Sequence, residues 1–118
     1  MKRILTKSET KLMNVLWSLP NGRGHGTEIV RAYGEPKPAL TTVLTFLKIL
    51  ERKGFVTSRR EGRSHVFIPT LDREQYKESY IENMRDVLFD GSTQGIARFL
   101  LQHGYVSADD LRQIAEQG

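Results

Sequence analysis

The feature that most constrains this chain is a change of hydrophobic period at Gly54. From Ala39 to Lys53, the residues Leu40, Val43, Phe46, Leu47 and Leu50 fall at the i, i+3, i+4 and i+7 positions of a helix with one buried stripe. Directly after Gly54, Phe55-Val56-Thr57-Ser58-Arg59-Arg60 and Ser64-His65-Val66-Phe67-Ile68 are rich in β-branched and aromatic residues. Joined by Glu61-Gly62-Arg63, they predict a β-hairpin. Gly54 itself reads as a helix stop, preceded by Arg52 and Lys53, whose charges suit the negative end of the helix dipole.

Two shorter helices precede this unit. Thr6 followed by Glu9 is a capping-box signature, and Leu12, Met13, Leu16 and Trp17 recur at helical spacing, so a first helix should run from about Lys7 to Leu19 and end at Pro20-Asn21-Gly22. Asn21 to Gly26 contains three glycines and reads as a flexible loop. Thr27-Glu28 then opens a second helix with Ile29, Val30 and Tyr33 on one face, closed by Gly34. Three short helices and a hairpin are the layout of a winged helix-turn-helix, in which the third helix reads a groove and the hairpin is the wing.

After Pro69-Thr70 the pattern becomes purely helical. Tyr76, Tyr80, Ile81, Met84, Val87 and Leu88 form a stripe that ends at Gly91-Ser92. Thr93 to His103 presents Ile96, Ala97, Leu100 and Leu101, and Ser107 with Asp110 resembles a second capping box leading into Leu111 and Ile114. The fold class is therefore mostly α with a small β-hairpin wing: a winged helix-turn-helix domain over residues 1–70 and a helical region over residues 71–118. The second region is too short for a lone core to be stable, yet its apolar stripe is wide. A second copy of the chain is the economical cover. The candidate dimerisation residues are Tyr80, Ile81, Met84, Val87, Leu88, Ile96, Leu100, Leu101, Leu111 and Ile114.

Charge separates the same two regions. The chain carries a formal +4, but residues 1–70 hold 13 Lys+Arg against 5 Asp+Glu, a net +8, and residues 71–118 hold 5 against 9, a net −4. A +8 segment of this size is the electrostatic footprint of a polyanion binder. On the third helix the face opposite the stripe presents Thr41, Thr42, Thr45, Lys48 and Arg52. Threonine is a mediocre helix former, so three near one N-terminus need a reason. A helix in a DNA major groove supplies one, because small side chains allow close approach and offer both a methyl and a hydroxyl to base edges. The alternative is that these hydroxyls bond back to carbonyls one turn earlier. The hairpin tip carries Arg59, Arg60 and Arg63 within five residues, and Lys37 precedes the third helix. Lys37, Thr41, Thr42, Thr45, Lys48, Arg59, Arg60 and Arg63 are the candidate DNA-binding residues.

Other chemistries find little purchase. Cysteine is absent, which excludes disulfides, thiolate metal sites and a cysteine nucleophile. His25, His65 and His103 are widely separated, with no metal-ligand spacing, and the Gly22, Gly24, Gly26 string lies between helices rather than after a strand. No enzymatic activity and no cofactor is expected. The opening MKRILTKSET is too polar for a secretory signal and no apolar run approaches a membrane span, so a cytoplasmic location without membrane insertion is the expectation.

The string Leu40-Thr-Thr-Val-Leu-Thr-Phe-Leu, the early Leu16-Trp17, and Lys53-Gly54-Phe55 followed by an arginine-rich turn and Phe67-Ile-Pro resemble the penicillinase-repressor family of bacterial transcriptional repressors. The resemblance covers nearly the whole chain, and Thr41-Thr42-Val43 with Lys53-Gly54-Phe55 is its most specific part. It implies a winged-helix DNA-binding domain, a helical dimerisation region, and repression as a homodimer on inverted-repeat operators in double-stranded DNA. It also implies that Thr41, Thr42, Thr45 and Lys48 meet DNA from the recognition helix and Arg60 and Arg63 from the wing. The copper-responsive branch of the family carries a cysteine-rich metal motif that this chain lacks. In the antibiotic-responsive branch a membrane-protease signalling pathway cuts the repressor in its dimerisation region, which by alignment implies a bond near Phe99-Leu100. A winged-helix protein-interaction module without DNA binding is the alternative function.

Overall fold

Thr6 and Glu9 start the first helix as their spacing predicts. In the computed structural model, which describes residues 4–118, helix α1 spans Lys7–Ser18. Thr6 Oγ1 accepts from the Glu9 N–H at 3.1 Å, and Glu9 Oε1 accepts from the Thr6 N–H at 2.8 Å. The reciprocal pair satisfies donors that a helix N-terminus otherwise leaves open. Leu12, Met13 and Leu16 are buried along the inner face.

The glycine-rich stretch departs from the expected flexible loop. After one 3₁₀ turn at Pro20–Gly22, Gly24–His25 forms a short strand, β1, and helix α2 follows at once over Gly26–Ala32. Strands β2 (Val56–Glu61) and β3 (Ser64–Pro69) make the expected hairpin, and β1 adds to it, with Gly24 opposite Phe67 and His25 opposite Val66. All pairings are antiparallel, in the order β1-β3-β2. A Cβ on Gly24 would stand 2.8 Å from Leu19 Cδ1, and one on Gly26 would stand 2.9 Å from Leu44 Cδ2. These glycines let backbone and side chains approach closely; flexibility is not their role.

Helix α3 spans Leu40–Arg52 and ends in a Schellman motif. The Phe55 N–H donates to Leu50 O at 2.9 Å and the Gly54 N–H to Glu51 O at 3.0 Å, with Gly54 at φ 87°. That left-handed residue turns the chain from helix into β2 and drops Phe55 into the core. Val43, Leu47 and Leu50 are buried as the stripe predicts, but Leu40 is 39% exposed. It lies in the first turn, at the edge of the packed face, where its Cδ1 covers Gly26.

Helix α4 spans Arg73–Leu88. Asp72 and Gln75 cap it reciprocally, each side chain accepting from the other's N–H at 2.8 Å. Its first turn is part of the winged-helix core. Tyr76 is buried, its hydroxyl accepts from the Leu5 N–H at 2.9 Å, and its ring lies 5.9 Å from Trp17 and 6.0 Å from Phe55. Trp17 Nε1–H donates to Leu71 O at 2.9 Å, and Arg73 reaches Asn14 and Ser18 on α1. The chain accordingly forms two compact units, Met1–Glu78 and Ser79–Gly118, with the division inside α4. The first is a winged helix, three helices and a three-stranded sheet closed by the start of α4.

The second unit holds the rest of α4, helix α5 (Thr93–Gln102) and helix α6 (Ala108–Gln117). Ser92 caps α5, and Ser107 with Asp110 forms the expected capping box on α6. Gly104 closes α5 with the same Schellman geometry as Gly54, Tyr105 N–H donating to Leu100 O at 2.9 Å. Phe89 and Phe99 pack edge to face at 5.8 Å. No residue from 79 to 118 is buried.

Candidate nucleic-acid interface

The outward face of α3 is open along its whole length. Thr41, Thr42, Thr45, Lys48 and Arg52 are all exposed, opposite the buried Val43, Leu47 and Leu50. Thr45 Oγ1 donates to Thr41 O at 2.9 Å, so the back-bonding alternative holds for this one threonine of the three. Thr41 and Thr42 make no such bond, and their hydroxyls are available to an outside partner. Ala39 at the N-cap has no side chain able to cap the helix, which leaves first-turn N–H groups pointing outward near the exposed Lys37. Such an end favours an anion.

A part-buried ion pair ties α3 to α1. Lys53 Nζ donates to both oxygens of Glu9, at 2.7 and 3.0 Å, and the Glu9 side chain is only 4% exposed. Burial raises the Glu9 pKa, but the hydrogen bonds and charge of Lys53 together with the Thr6 bonds outweigh it, and the net position is below the ordinary carboxylate value. The glutamate that caps α1 thereby anchors the far end of α3. Sequence reasoning missed this role, because the capping box already accounted for a glutamate at that position. On the other side of the last turn, Ser58 Oγ donates to Glu51 at 2.7 Å and ties α3 to the base of the wing.

The wing turn is a two-residue loop, since Glu61 pairs with Ser64. Gly62, the first loop residue, has φ 66°, the position at which a type II′ connection needs glycine. Arg60 Nε donates to Gly62 O at 3.2 Å, and Arg59 lies 3.5 Å from Glu61. Arg63 lies at the tip and is exposed. The β-register puts Arg59, Glu61, Ser64, Val66 and His25 on one face of the sheet and Arg60 with His65 on the other. His25 Nδ1 is 2.8 Å from Ser64 Oγ, and its Nε2 is 3.8 Å from Glu61. This cluster was invisible in the sequence, because β1 was not expected and His25 read as a loop residue.

The candidate dimerisation residues are found on the surface of the second unit. Tyr80, Ile81, Val87, Leu88, Leu100, Leu101, Leu111 and Ile114 are exposed, up to 72% at Leu88, while Met84 and Ile96 are half-buried. Charge follows the units: residues 1–78 carry 15 Lys+Arg against 8 Asp+Glu, and residues 79–118 carry 3 against 6.

Among the described residues no group of three or more His, Asp or Glu is placed to hold a metal ion. An open cleft of about 790 Å³ in the first unit is lined by Trp17, Arg23, Ile68, Leu71, Arg73 and neighbours. The polar groups of Trp17 and Arg73 there are committed to protein partners. Among the described residues no helix is long and apolar enough to cross a membrane.

Comparison with known proteins agrees with the resemblance carried by Leu16-Trp17, Thr41-Thr42-Val43 and Lys53-Gly54-Phe55. The sequence pattern of the family described as penicillinase repressor matches residues 5–117. The penicillinase repressor of Bacillus licheniformis is 21% identical over 117 residues, covering 97% of this chain and 90% of that protein. Among solved structures, a MarR family transcriptional regulator from Streptomyces coelicolor in complex with DNA aligns with a TM-score of 0.48 and 20% identity. That alignment covers 92% of this chain and 67% of the other.

Proposed function

Because the chain belongs to the penicillinase repressor family, we propose that it is a sequence-specific DNA-binding transcriptional repressor that binds inverted-repeat operators as a homodimer. The observation that carries this reading is the uncovered face of α3, with the Thr41, Thr42 and Lys48 side chains exposed, in the same unit as a wing tipped by Arg59, Arg60 and Arg63. α3 enters the major groove, where Thr41 and Thr42 meet base edges and thymine methyls, and Lys37 and Lys48 neutralise phosphates. The wing arginines reach neighbouring phosphates. With no Arg, Asn or Gln early on α3, few bidentate base contacts are available, so operator choice leans on methyl contacts, half-site spacing and DNA shape.

Homodimer formation is supported by the second unit. None of its 40 residues is fully buried, so hydrophobic burial within the unit is slight. Pairing of Tyr80, Ile81, Met84, Val87, Leu88, Ile96, Leu100, Leu101, Leu111 and Ile114 with the same residues of a second copy covers that surface. The second unit's net negative charge does not attract a polyanion, whereas the first unit's net positive charge does. Release of the repressor by a membrane-protease pathway acting near Phe99-Leu100 belongs to the same proposal; both residues are exposed on α5.

The test is a titration of promoter duplex against random duplex at several salt concentrations. Log affinity should fall linearly with log salt, with a slope near −0.9 per phosphate neutralised, and the inverted repeat should win at every salt. Binding without salt dependence and without preference would remove the reading.

A further inference from the structure

We infer that His25, Glu61 and Arg59 form a proton-controlled brake on the wing, with Glu61 restraining a DNA-facing arginine until His25 is protonated. The inference rests on the reading above that the wing meets DNA. Glu61 stands between two cation-capable groups: Oε2 lies 3.5 Å from Arg59 Nη2, and Oε1 lies 3.8 Å from His25 Nε2. Ser64 Oγ, 2.8 Å from Nδ1, holds the imidazole so that Nε2 faces the carboxylate. The β-register places all four side chains on one face of the sheet, so strand pairing brings them within reach of one another.

The charged and titratable groups around His25 can be named element by element. On α2, Glu28 is committed to the backbone, its Oε1 accepting from the His25 N–H at 2.8 Å. On β2 stand Glu61 and Arg59, and on β3 stands the Ser64 hydroxyl. His65 is on the opposite face, across from Arg60. Glu61 is therefore the carboxylate that a proton on His25 engages.

Two states follow. With a neutral ring, Nε2–H faces the carboxylate and Nδ1 accepts from Ser64, so among the described residues Arg59 is the full positive charge paired with Glu61. Glu61 then both occupies Arg59 and presents its own negative charge at the wing. When His25 gains a proton, Nδ1–H donates to Ser64 Oγ and the imidazolium pairs with Glu61. Arg59 is released to a phosphate, and the wing becomes one unit more positive. Histidine is the side chain whose charge changes between about pH 5 and pH 8, so DNA binding should take up a proton and tighten on acidification. Exposed ion pairs contribute only modestly, so the expected response is roughly threefold in affinity.

The experiment measures anisotropy of a labelled random-sequence duplex with the full chain, at constant ionic strength, from about pH 5 to about pH 8. The wild type should bind roughly threefold tighter at the acid end. Glu61→Gln should bind tighter than wild type at the alkaline end and lose most of the pH response. His25→Gln should match wild type at the alkaline end and fail to tighten in acid, and His65→Gln should keep the response. A full response in His25→Gln, its loss in His65→Gln, or no gain in Glu61→Gln overturns the brake. Glu61 is exposed, so Glu61→Gln decides the matter even where His25→Gln impairs folding. Salt-dependent binding with no pH response sinks the brake alone, whereas absence of duplex binding at every pH sinks the reading of the wing as well.

Discussion

Removing Lys53 should cost the winged helix more than its half-exposed position suggests. In Lys53→Met the Glu9 carboxylate loses donors at 2.7 and 3.0 Å while staying buried, and keeps the Thr6 N–H at 2.8 Å. A hydrogen bond to a charged group contributes about 1.5–3 kcal/mol, and an uncompensated buried charge costs more. The remaining Thr6 bond and the solvent reaching Lys53, whose side chain is 39% exposed, discount this. We expect about 2 kcal/mol of destabilisation, or about 10 °C in Tm for a unit of this size. Glu9→Gln removes the buried charge together with the pair and should cost only about 1 kcal/mol. The double variant should then be more stable than additivity predicts. The assay is urea unfolding at fixed protein concentration, followed by the fluorescence of Trp17, the sole tryptophan, which lies against Tyr76. The sign of the pH dependence is also set. Glu9 titrates below its ordinary value of 4.5 in the folded chain, so its contribution is complete above that value and is lost as pH falls through the folded pKa. Glu9→Gln should flatten the acid limb of the stability profile. A neutral or stabilising Lys53→Met, or an additive double variant, would refute the argument.

Three further outcomes follow from the geometry. Lys48→Ala should weaken binding to every sequence and reduce the magnitude of the salt slope by about two, one for each copy in the dimer, whereas Thr41→Ala and Thr42→Ala should mainly narrow the gap between operator and random duplex; competition titrations separate the two. Gly24→Ala places a Cβ 2.8 Å from Leu19 Cδ1 and 3.0 Å from Glu28 Oε1, both side-chain ends that can shift, and should cost no more than about 1 kcal/mol by urea unfolding. Ile81→Glu with Leu101→Glu should shift the chain from dimer to monomer in light scattering without unfolding residues 1–78, since both side chains are exposed in the single chain.

What the sequence made legible was whatever is decided locally. Thr6 with Glu9, Ser107 with Asp110 and the stop at Gly54 act within a few residues, and each appears where its spacing predicts. The exposed face of α3 was legible because a period of 3.6 separates Thr41, Thr45 and Lys48 from Val43, Leu47 and Leu50 without reference to anything else. What escaped depends on residues far apart in the chain. β1 is two residues long, and Gly24-His25 is a strand only because Phe67 and Val66 pair with it. Tyr76 looked like the start of the second region's stripe, yet Leu5, Trp17 and Phe55 draw it into the first unit. Glu9 showed its cap but not its partner Lys53, and His25 showed no partner until the sheet brought Glu61 and Ser64 beside it. The candidate site was thus visible as two separate basic segments, while the anchors that orient them were not.

The central claim is that α3 and the wing read DNA as part of a two-fold dimer. Nuclease footprinting of the full chain on its own promoter tests it most directly. Two protected half-sites related by an inverted repeat are expected, centred about 34–36 Å or a multiple of that spacing apart on one face of the duplex, with both shifted together to higher protein concentration in Lys48→Ala. A single asymmetric footprint, or protection unchanged in Lys48→Ala, would contradict it.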